Sequence, residues 1–396
     1  MFGGGRNTMN SLESYLAELV NSALDNNTPS DIPSSITFDE IFDIAVKNHM
    51  EYMLFSTLVK TNLSEKQKEV LRTRVKVSMM RTMVQINEFN SIKARFEEEG
   101  IENQPMKGAY MKFIYPNPMM REMSDIDVLV RDEYTEKAQK IFEELGYTSL
   151  GREHHHDVYV KRPYMVVEAH WAMYDQTVDK KQYEYFSDFS KAVLVDGASY
   201  TYNFNKEDFY VYMMAHMAKH FYKKGCGIRN IVDVYVYRKK YKGELDEVYI
   251  EEELNKCGIL SFTRHIEKLS DIWLGGEEST EFYDNLFMYM LDSGIYGKDE
   301  NGIWNEFAKE SGESKFHYGL KLKLFYFFPP YHYMAKYHPW IIGKKALLPI
   351  AWIARGITGI VKKKGEKKRE MLHHIDPKDI KIIQSIYSVM QFDFQG

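Results

Sequence analysis

The chain has 396 residues, long enough for two or three structural units, and its 44% hydrophobic content excludes a disordered protein. A formal net charge of -5 excludes a nucleic-acid binder that depends on a large positive field, although a local basic groove stays open. The two cysteines, Cys226 and Cys257, form no metal-ligand pattern and read as buried or free thiols of a reducing compartment.

Residues 1–10 have no apolar signal-peptide core and predict a flexible tail. No run of about eighteen apolar residues exists, so a cytoplasmic location is the expectation. From 11 to about 100 the periodicity is helical. Leu12, Leu16, Leu19, Val20 and Ala23 share one face of a first helix. Thr37 with Glu40 opens a second, which has Ile41, Ile44 and Ala45 on its apolar side; Ser64 with Gln67 opens a third. Both pairs fit the capping-box pattern. Neither proline nor glycine interrupts the third helix before Gly100. Leu71, Val75, Met79, Ile86, Phe89 and Phe96 form its expected buried stripe.

The pattern changes after Gly100. A short strand at 101–106, a Lys107-Gly108 turn and a helix at 109–114 lead to Tyr115-Pro116-Asn117-Pro118, where prolines stop the helix. A buried strand at 126–130 follows, then a helix at 134–145 closed by Gly146. Two strands, 158–160 and 165–170, are linked by Arg162-Pro163-Tyr164. This alternation over 101–172 implies a small α/β or α+β unit. From 206 onward the chain is again helical, with candidates at 209–222, 228–238, 249–257 and 261–273.

The informative segment is Arg121-Glu122-Met123-Ser124-Asp125-Ile126-Asp127-Val128-Leu129-Val130. Aspartate is unfavourable in strands, yet two stand here at i and i+2, a spacing that points both from one face. Two anions so close call for a shared cation, and hard oxygen ligands suit Mg2+ or Mn2+. Such a pair serves phosphoryl-type transfer, in which bound ions clamp phosphates and stabilise the leaving oxygen. Glu168, a lone charge in the apolar run Val166-Val167-Glu168-Ala169-His170, offers a third carboxylate. An Asp-x-Asp pair by itself also fits a turn before a strand, or a calcium loop.

Lys107-Gly108, the Arg121–Val130 segment and Val167-Glu168-Ala169-His170-Trp171 together resemble the uncharacterised nucleotidyltransferase family of the polymerase-beta-like superfamily. In that family a Lys-Gly turn precedes an Arg-x-Met-x-Asp-Ile-Asp strand, and a Glu-x-His-Trp strand follows. The likeness is strongest over 100–175 and extends into the flanking helices. It implies an α+β fold with a small mixed-sheet nucleotidyltransferase core between helical segments. It also implies transfer of a nucleoside monophosphate from an NTP donor to an unidentified hydroxyl-bearing acceptor, a small molecule or a protein. Asp125, Asp127 and Glu168 would be catalytic and metal-binding. Lys107, Gly108, Arg121 and Ser124 would line the nucleotide. The wider superfamily usually carries Gly-Ser at the first turn. Here Gly108 would let the backbone approach a phosphate, with Lys107 adding a charge-assisted contact.

His170 shares the strand face of Glu168 and can contact metal, nucleotide or acceptor, or stand as a hydrogen-bonded structural histidine. His216 and His220, at i and i+4, share a helix face toward the acceptor side. They lack the further ligands that a zinc site needs. Arg229 and Asp233 are spaced for an ion pair within one helix. His154-His155-His156 reads as a polar loop or strand start, because consecutive strand residues face opposite ways and do not chelate together.

The expected divisions are a tail (1–10), an N-terminal helical segment (11–100), the core (101–205), a C-terminal helical segment (206–330) and an amphipathic, basic C-terminal region (331–396). In the last, an interrupted apolar stretch precedes Lys362-Lys363-Lys364-Gly365-Glu366-Lys367-Lys368-Arg369, which suits peripheral contact with anionic lipid through 340–370. Two other functional readings stay open: an inactive nucleotide-binding or regulatory module, and a membrane-associated component of a surface-glycan pathway.

Overall fold

The computed structural model describes residues 11–153, 155–176, 180–187, 191–298, 301, 327–361 and 377–392. The expected tail at 1–10, His154 and the polybasic tract at 362–369 lie outside the described residues.

Four helices come first: α1 (Ser11–Leu24), α2 (Phe38–Lys47), α3 (Glu51–Leu58) and α4 (Glu65–Glu98). Both capping boxes form. Thr37 accepts from the Glu40 amide while the Glu40 carboxylate accepts from the Thr37 amide, and Ser64 and Gln67 do the same. Helix α3 has no side-chain cap and carried no sequence signal of its own. The buried side of α4 differs from expectation at its middle. Leu71, Phe89 and Phe96 are buried, but Ser78, Thr82 and Gln85 occupy the inward positions between them, with Val75, Met79 and Ile86 only half-buried.

A five-stranded mixed sheet follows, built from β1 (Asn103–Pro105), β2 (Ile126–Val130), β3 (Thr148–Glu153), β4 (His156–Lys161) and β5 (Met165–His170). Its spatial order is β1-β2-β5-β4-β3, antiparallel except for the β2–β5 pair. A short helix, α5 (Gly108–Met111), leaves β1, and α6 (Thr135–Glu144) leaves β2. The helix expected at 109–114 is thus one turn long. Strand β3 was not anticipated, because Thr148-Ser149-Leu150-Gly151 offers no apolar alternation and all four are exposed. A further short helix, α7 (Lys180–Tyr185), and a two-stranded ribbon, β6 (Ala192–Leu194) with β7 (Tyr202–Phe204), lead out of the sheet.

The chain then returns to helices α8 (Lys206–Lys224), α9 (Arg229–Lys240), α10 (Glu247–Lys256), α11 (Leu260–Trp273) and α12 (Glu281–Ser293). The described C-terminal helices are α13 (Tyr331–Tyr337), α14 (Leu348–Val361) and α15 (Pro377–Met390). The fold is therefore α+β, a small mixed sheet flanked by helices on both sides of the sequence.

Two large hydrophobic clusters result. One joins α1, α3, α8, α9, α11 and α12, and takes in Met106, Met111, Tyr115 and Leu129 from the sheet region. The other packs Phe89, Ile92 and Phe96 of α4 and Ile141 and Phe142 of α6 against Val128, Tyr159 and Val167 of the sheet. Amphipathic helices and strands of this size are held mainly by burying such faces.

Candidate active site

Strand register gathers the polar groups. In the parallel β2–β5 pair Asp127 stands opposite Glu168, and in the antiparallel β4–β5 pair His156 stands opposite His170. Cross-strand partners share a face, so Asp127, Glu168, His170 and His156 emerge on one side of the sheet. Asp125 lies two residues before Asp127, just ahead of β2. The three carboxylates meet a cleft of about 240 Å3 lined also by Lys107, Gly108 and, from the helical side, His216 and His220, while His170 and His156 lie beside them outside its lining.

Asp127 is the hub. Its Oδ1 accepts from Lys107 Nζ at 2.8 Å and lies 2.8 Å from His170 Nε2. Burial pushes its carboxyl up, but the Lys107 ammonium and the His170 hydrogen bond outweigh that and hold it well below the usual carboxylate range. The same charges act in reverse on Lys107: burial opposes its ammonium, yet Asp127 keeps it protonated. Asp125 has no hydrogen bond or ion pair among the described residues, and the Lys107 and Arg229 charges offset its burial only in part. Burial first, and the Asp127 charge second, push its carboxyl up to about 6. Glu168 accepts from His170 Nε2 at 3.4 Å, and that hydrogen bond lowers its pKa. Asp127, Glu168 and His170 form one group of candidate metal ligands, whose ligand atoms lie within 4.8 Å of one another.

Lys107 reaches Asp127 because the backbone turns sharply after β1. It adopts φ 46 and ψ -117, a conformation that side-chain-bearing residues rarely take and that marks functional turns. Gly108 is needed next to it for a steric reason. A Cβ there would lie 2.7 Å from Met123 Sδ and 2.8 Å from Arg121 Nη1.

The loop before β2 is pinned from three helices. Gln85 of α4 donates to the Met123 carbonyl at 3.1 Å, the Tyr52 amide of α3 donates to Glu122 Oε1 at 2.6 Å, and Arg229 of α9 donates to the Glu122 carbonyl at 2.8 Å. Arg121 faces the cleft from a buried ion pair, with Nε 3.1 Å and Nη2 3.0 Å from the two oxygens of Asp233. Tyr115 donates to the same carboxylate at 2.7 Å. The ion pair expected between Arg229 and Asp233 is therefore replaced by a longer-range one, because the two Asp233 oxygens turn toward Arg121 and Tyr115. Arg229 is left buried beside another cation, which lowers its pKa to about 10 through burial and the Arg121 charge.

Ser124 Oγ lies 2.7 Å from the Tyr296 hydroxyl and 3.3 Å from His49 Nδ1. Neither His49 nor Tyr296 was singled out from sequence, since Tyr296 lines the cleft and His49 reaches Ser124 from distant segments. His216 and His220 line the wall with their Nε2 atoms 2.9 Å apart, so one ring donates to the other. Burial and the nearby Lys107 charge hold both imidazoles neutral, His220 down to about 3.

Of the three consecutive histidines, His154 lies outside the described residues, and His155 and His156 come together beside His170. His155 sits on the turn before β4 rather than in the strand, so it escapes the alternation of faces. The ligand atoms of His155, His156 and His170 also fall within 4.8 Å of one another.

The α+β sheet thus presents register-paired carboxylates to a cleft beside a Lys-Gly turn. The chain belongs to the uncharacterised nucleotidyltransferase family, whose profile matches residues 34–275. No curated protein matches. Among solved structures, the antibiotic-resistance factor ANT(2'')-Ia matches at 12% identity over 49% of this chain and 91% of that one. Its TM-score of 0.26 is too low to bear on fold or substrate.

Proposed function

We propose that this nucleotidyltransferase moves a nucleoside monophosphate from an NTP to a hydroxyl-bearing acceptor in a reaction that requires a divalent cation, Mg2+ or Mn2+. The observation that carries this reading is the meeting of Asp125, Asp127 and Glu168 at the floor of the cleft, facing the Lys107-Gly108 turn. The residues fit a cation. Asp125 is pushed up to about 6 by burial and its carboxylate neighbour, an imbalance that a bound cation relieves. The bound cation would neutralise the triphosphate and stabilise the leaving oxygen.

Gly108 gives the phosphates room to approach the backbone, and Lys107 supplies a fixed positive charge at the same turn. Arg121 is held rigid by Asp233 at the cleft wall, and Ser124 is oriented by Tyr296. An acceptor hydroxyl entering past His216 and His220 attacks the α-phosphorus. Its oxygen bonds to phosphorus, the α–β bridging bond breaks, pyrophosphate leaves with the electron pair, and Glu168 takes the hydroxyl proton. Calorimetry with each of the four NTPs and Mg2+ tests the donor site. Wild type should bind at least one NTP, and Asp125→Asn/Asp127→Asn should bind it at least tenfold more weakly. Equal affinity in a folded double variant would reject the assignment.

A second reading concerns location. No described helix is long and apolar enough to cross a membrane. Helix α14 nevertheless exposes Ile350, Ile353 and Ile357 at i, i+3 and i+7, with Trp340 and Ile342 also exposed just before it. The Lys362–Arg369 sequence that follows supplies complementary charge for an anionic lipid surface. We propose peripheral docking there. Ile353→Glu/Ile357→Glu should lower flotation with phosphatidylserine vesicles several-fold. Unchanged flotation would dispose of this face as the anchor.

A further inference from the structure

The carboxylates of the site do not stand alone. Along the same face of β2, β5 and β4, imidazoles alternate with them. Asp127 Oδ1 lies 2.8 Å from His170 Nε2, His170 Nε2 lies 3.4 Å from Glu168 Oε2, and Glu168 Oε2 lies 3.8 Å from His156 Nε2. Metal–ligand bonds near 2.1 Å place neighbouring ligand atoms roughly 3–3.4 Å apart. The first two separations already approach the edges of such a polyhedron, whereas His156 reaches Glu168 alone and stands outside the group formed by Asp127, Glu168 and His170.

His170 is 3% exposed, so its imidazole belongs to the interior rather than to a solvated surface. Its Nδ1 and the Nδ1 of His155 are buried and have no hydrogen-bond partner among the described residues. Buried imidazoles ordinarily have both nitrogens satisfied. The His170 nitrogen that would meet a cation is Nε2, which lies between the two carboxylates, while the unmatched Nδ1 points away from that ligand set by the geometry of the ring.

A purely phosphate-handling Mg2+ site needs oxygens, since Mg2+ demands near-octahedral oxygen coordination and keeps its waters. Imidazole nitrogen favours first-row transition ions, and a mixed set of two oxygens and one or two nitrogens accommodates Mn2+, Co2+ or Zn2+. We infer that Asp127, Glu168 and His170, with His156 at the margin, form an imidazole-bearing cation site that selects a first-row transition ion over Mg2+. This inference rests on the metal-dependent transferase reading of the same cleft and narrows which ion belongs there. Asp125, outside the tight group, is left to face the nucleotide side of the cleft. A cation held there would take Asp127 Oδ1 and the His170 Nε2 lone pair in place of their hydrogen bond, with the imidazole proton carried on Nδ1, and would share Asp127 with the Lys107 ammonium 2.8 Å from the same oxygen.

Co2+ is the probe, because its visible absorption reports nitrogen coordination and low coordination number without any turnover. Full-length protein, stripped of metal and free of nucleotide, is titrated with Co2+. The expected result is a saturating visible band that Zn2+ displaces at equimolar concentration and that Mg2+ fails to displace in hundredfold excess. His170→Gln should weaken Co2+ binding at least tenfold. His156→Gln, at a half-buried position, should shift the band while circular dichroism stays at wild type. The second variant keeps the test decisive should His170→Gln fold poorly. A band equal in wild type and both variants, or one removed as readily by Mg2+, overturns the imidazole site. Mg2+-dependent NTP binding by wild type without any cobalt band would sink this inference while leaving the transferase reading intact. A cobalt band without NTP binding would do the reverse.

Discussion

Lys112, on the wall behind the site, is 1% exposed, and its Nζ has no hydrogen-bond partner among the described residues. Burial, reinforced by the Arg121 charge, lowers its pKa from 10.5 to about 7. A folded value near 7 against an unfolded one near 10.5 means that folding expels a proton between those limits. The amine therefore costs stability below pH 7, and the cost fades as pH rises from about 7 toward 10.5. Lys112→Met, which keeps the stem and removes the amine, should stabilise the fold by about 1–3 kcal/mol at pH 6 and by little at pH 10. Urea denaturation at the two values measures it, and a pH-independent effect would refute burial of a titrating amine. At this scale Asp125, Asp127 and Glu168 were legible because period-two alternation is a local rule, readable wherever a charge interrupts an apolar strand. Arg121 shows where legibility stops. Its partner Asp233 lies 112 residues away, and no spacing rule connects the two.

Among the elements, β2 and β5 were recognised from composition, and their parallel pairing is what sets Asp127 beside Glu168. The sequence identified both strands but not their register, since the pairing depends on how far α6, β3 and β4 intervene. Helix α4 was recognised from its capping box and its uninterrupted length. Its polar inward residues were not, because Gln85 is buried there only in order to hold the Met123 carbonyl. The turn between β1 and α5 is the tightest element of the site. Gly108→Ala would press a methyl into Met123 and the Arg121 guanidinium, and overpacking of this kind costs about 1–3 kcal/mol. Guanidinium-chloride melts should show that loss. A neutral result would mean that the Met123 side chain swings away freely.

For the whole molecule, the cleft lies where the sheet meets the helical cluster, so neither part makes it alone. Lys107, Asp127 and Glu168 come from the sheet side, His216, His220 and Arg229 from α8 and α9, and Tyr296 from beyond α12. This explains why His49 and Tyr296 escaped sequence reasoning while the carboxylates did not. Convergence of distant segments is a property of the packed chain, whereas a motif is a property of neighbours. The family match over 34–275 takes in both sides of the cleft except for the Tyr296 segment.

Helix α4 carries 34 residues, which at about 1.5 Å per residue gives a rod roughly 50 Å long. Its early turns bury Leu71 in the helical cluster, and its late turns bury Phe89, Ile92 and Phe96 in the sheet cluster. A single hydrogen-bonded spindle thus passes through both hydrophobic bodies. Fraying at either end removes side chains from one body while loosening the backbone that serves the other. The two halves of the cleft are consequently yoked in melting. The expected consequence is that disturbance of the sheet is felt at α3 and that the two walls of the cleft lose their shape together rather than one after the other.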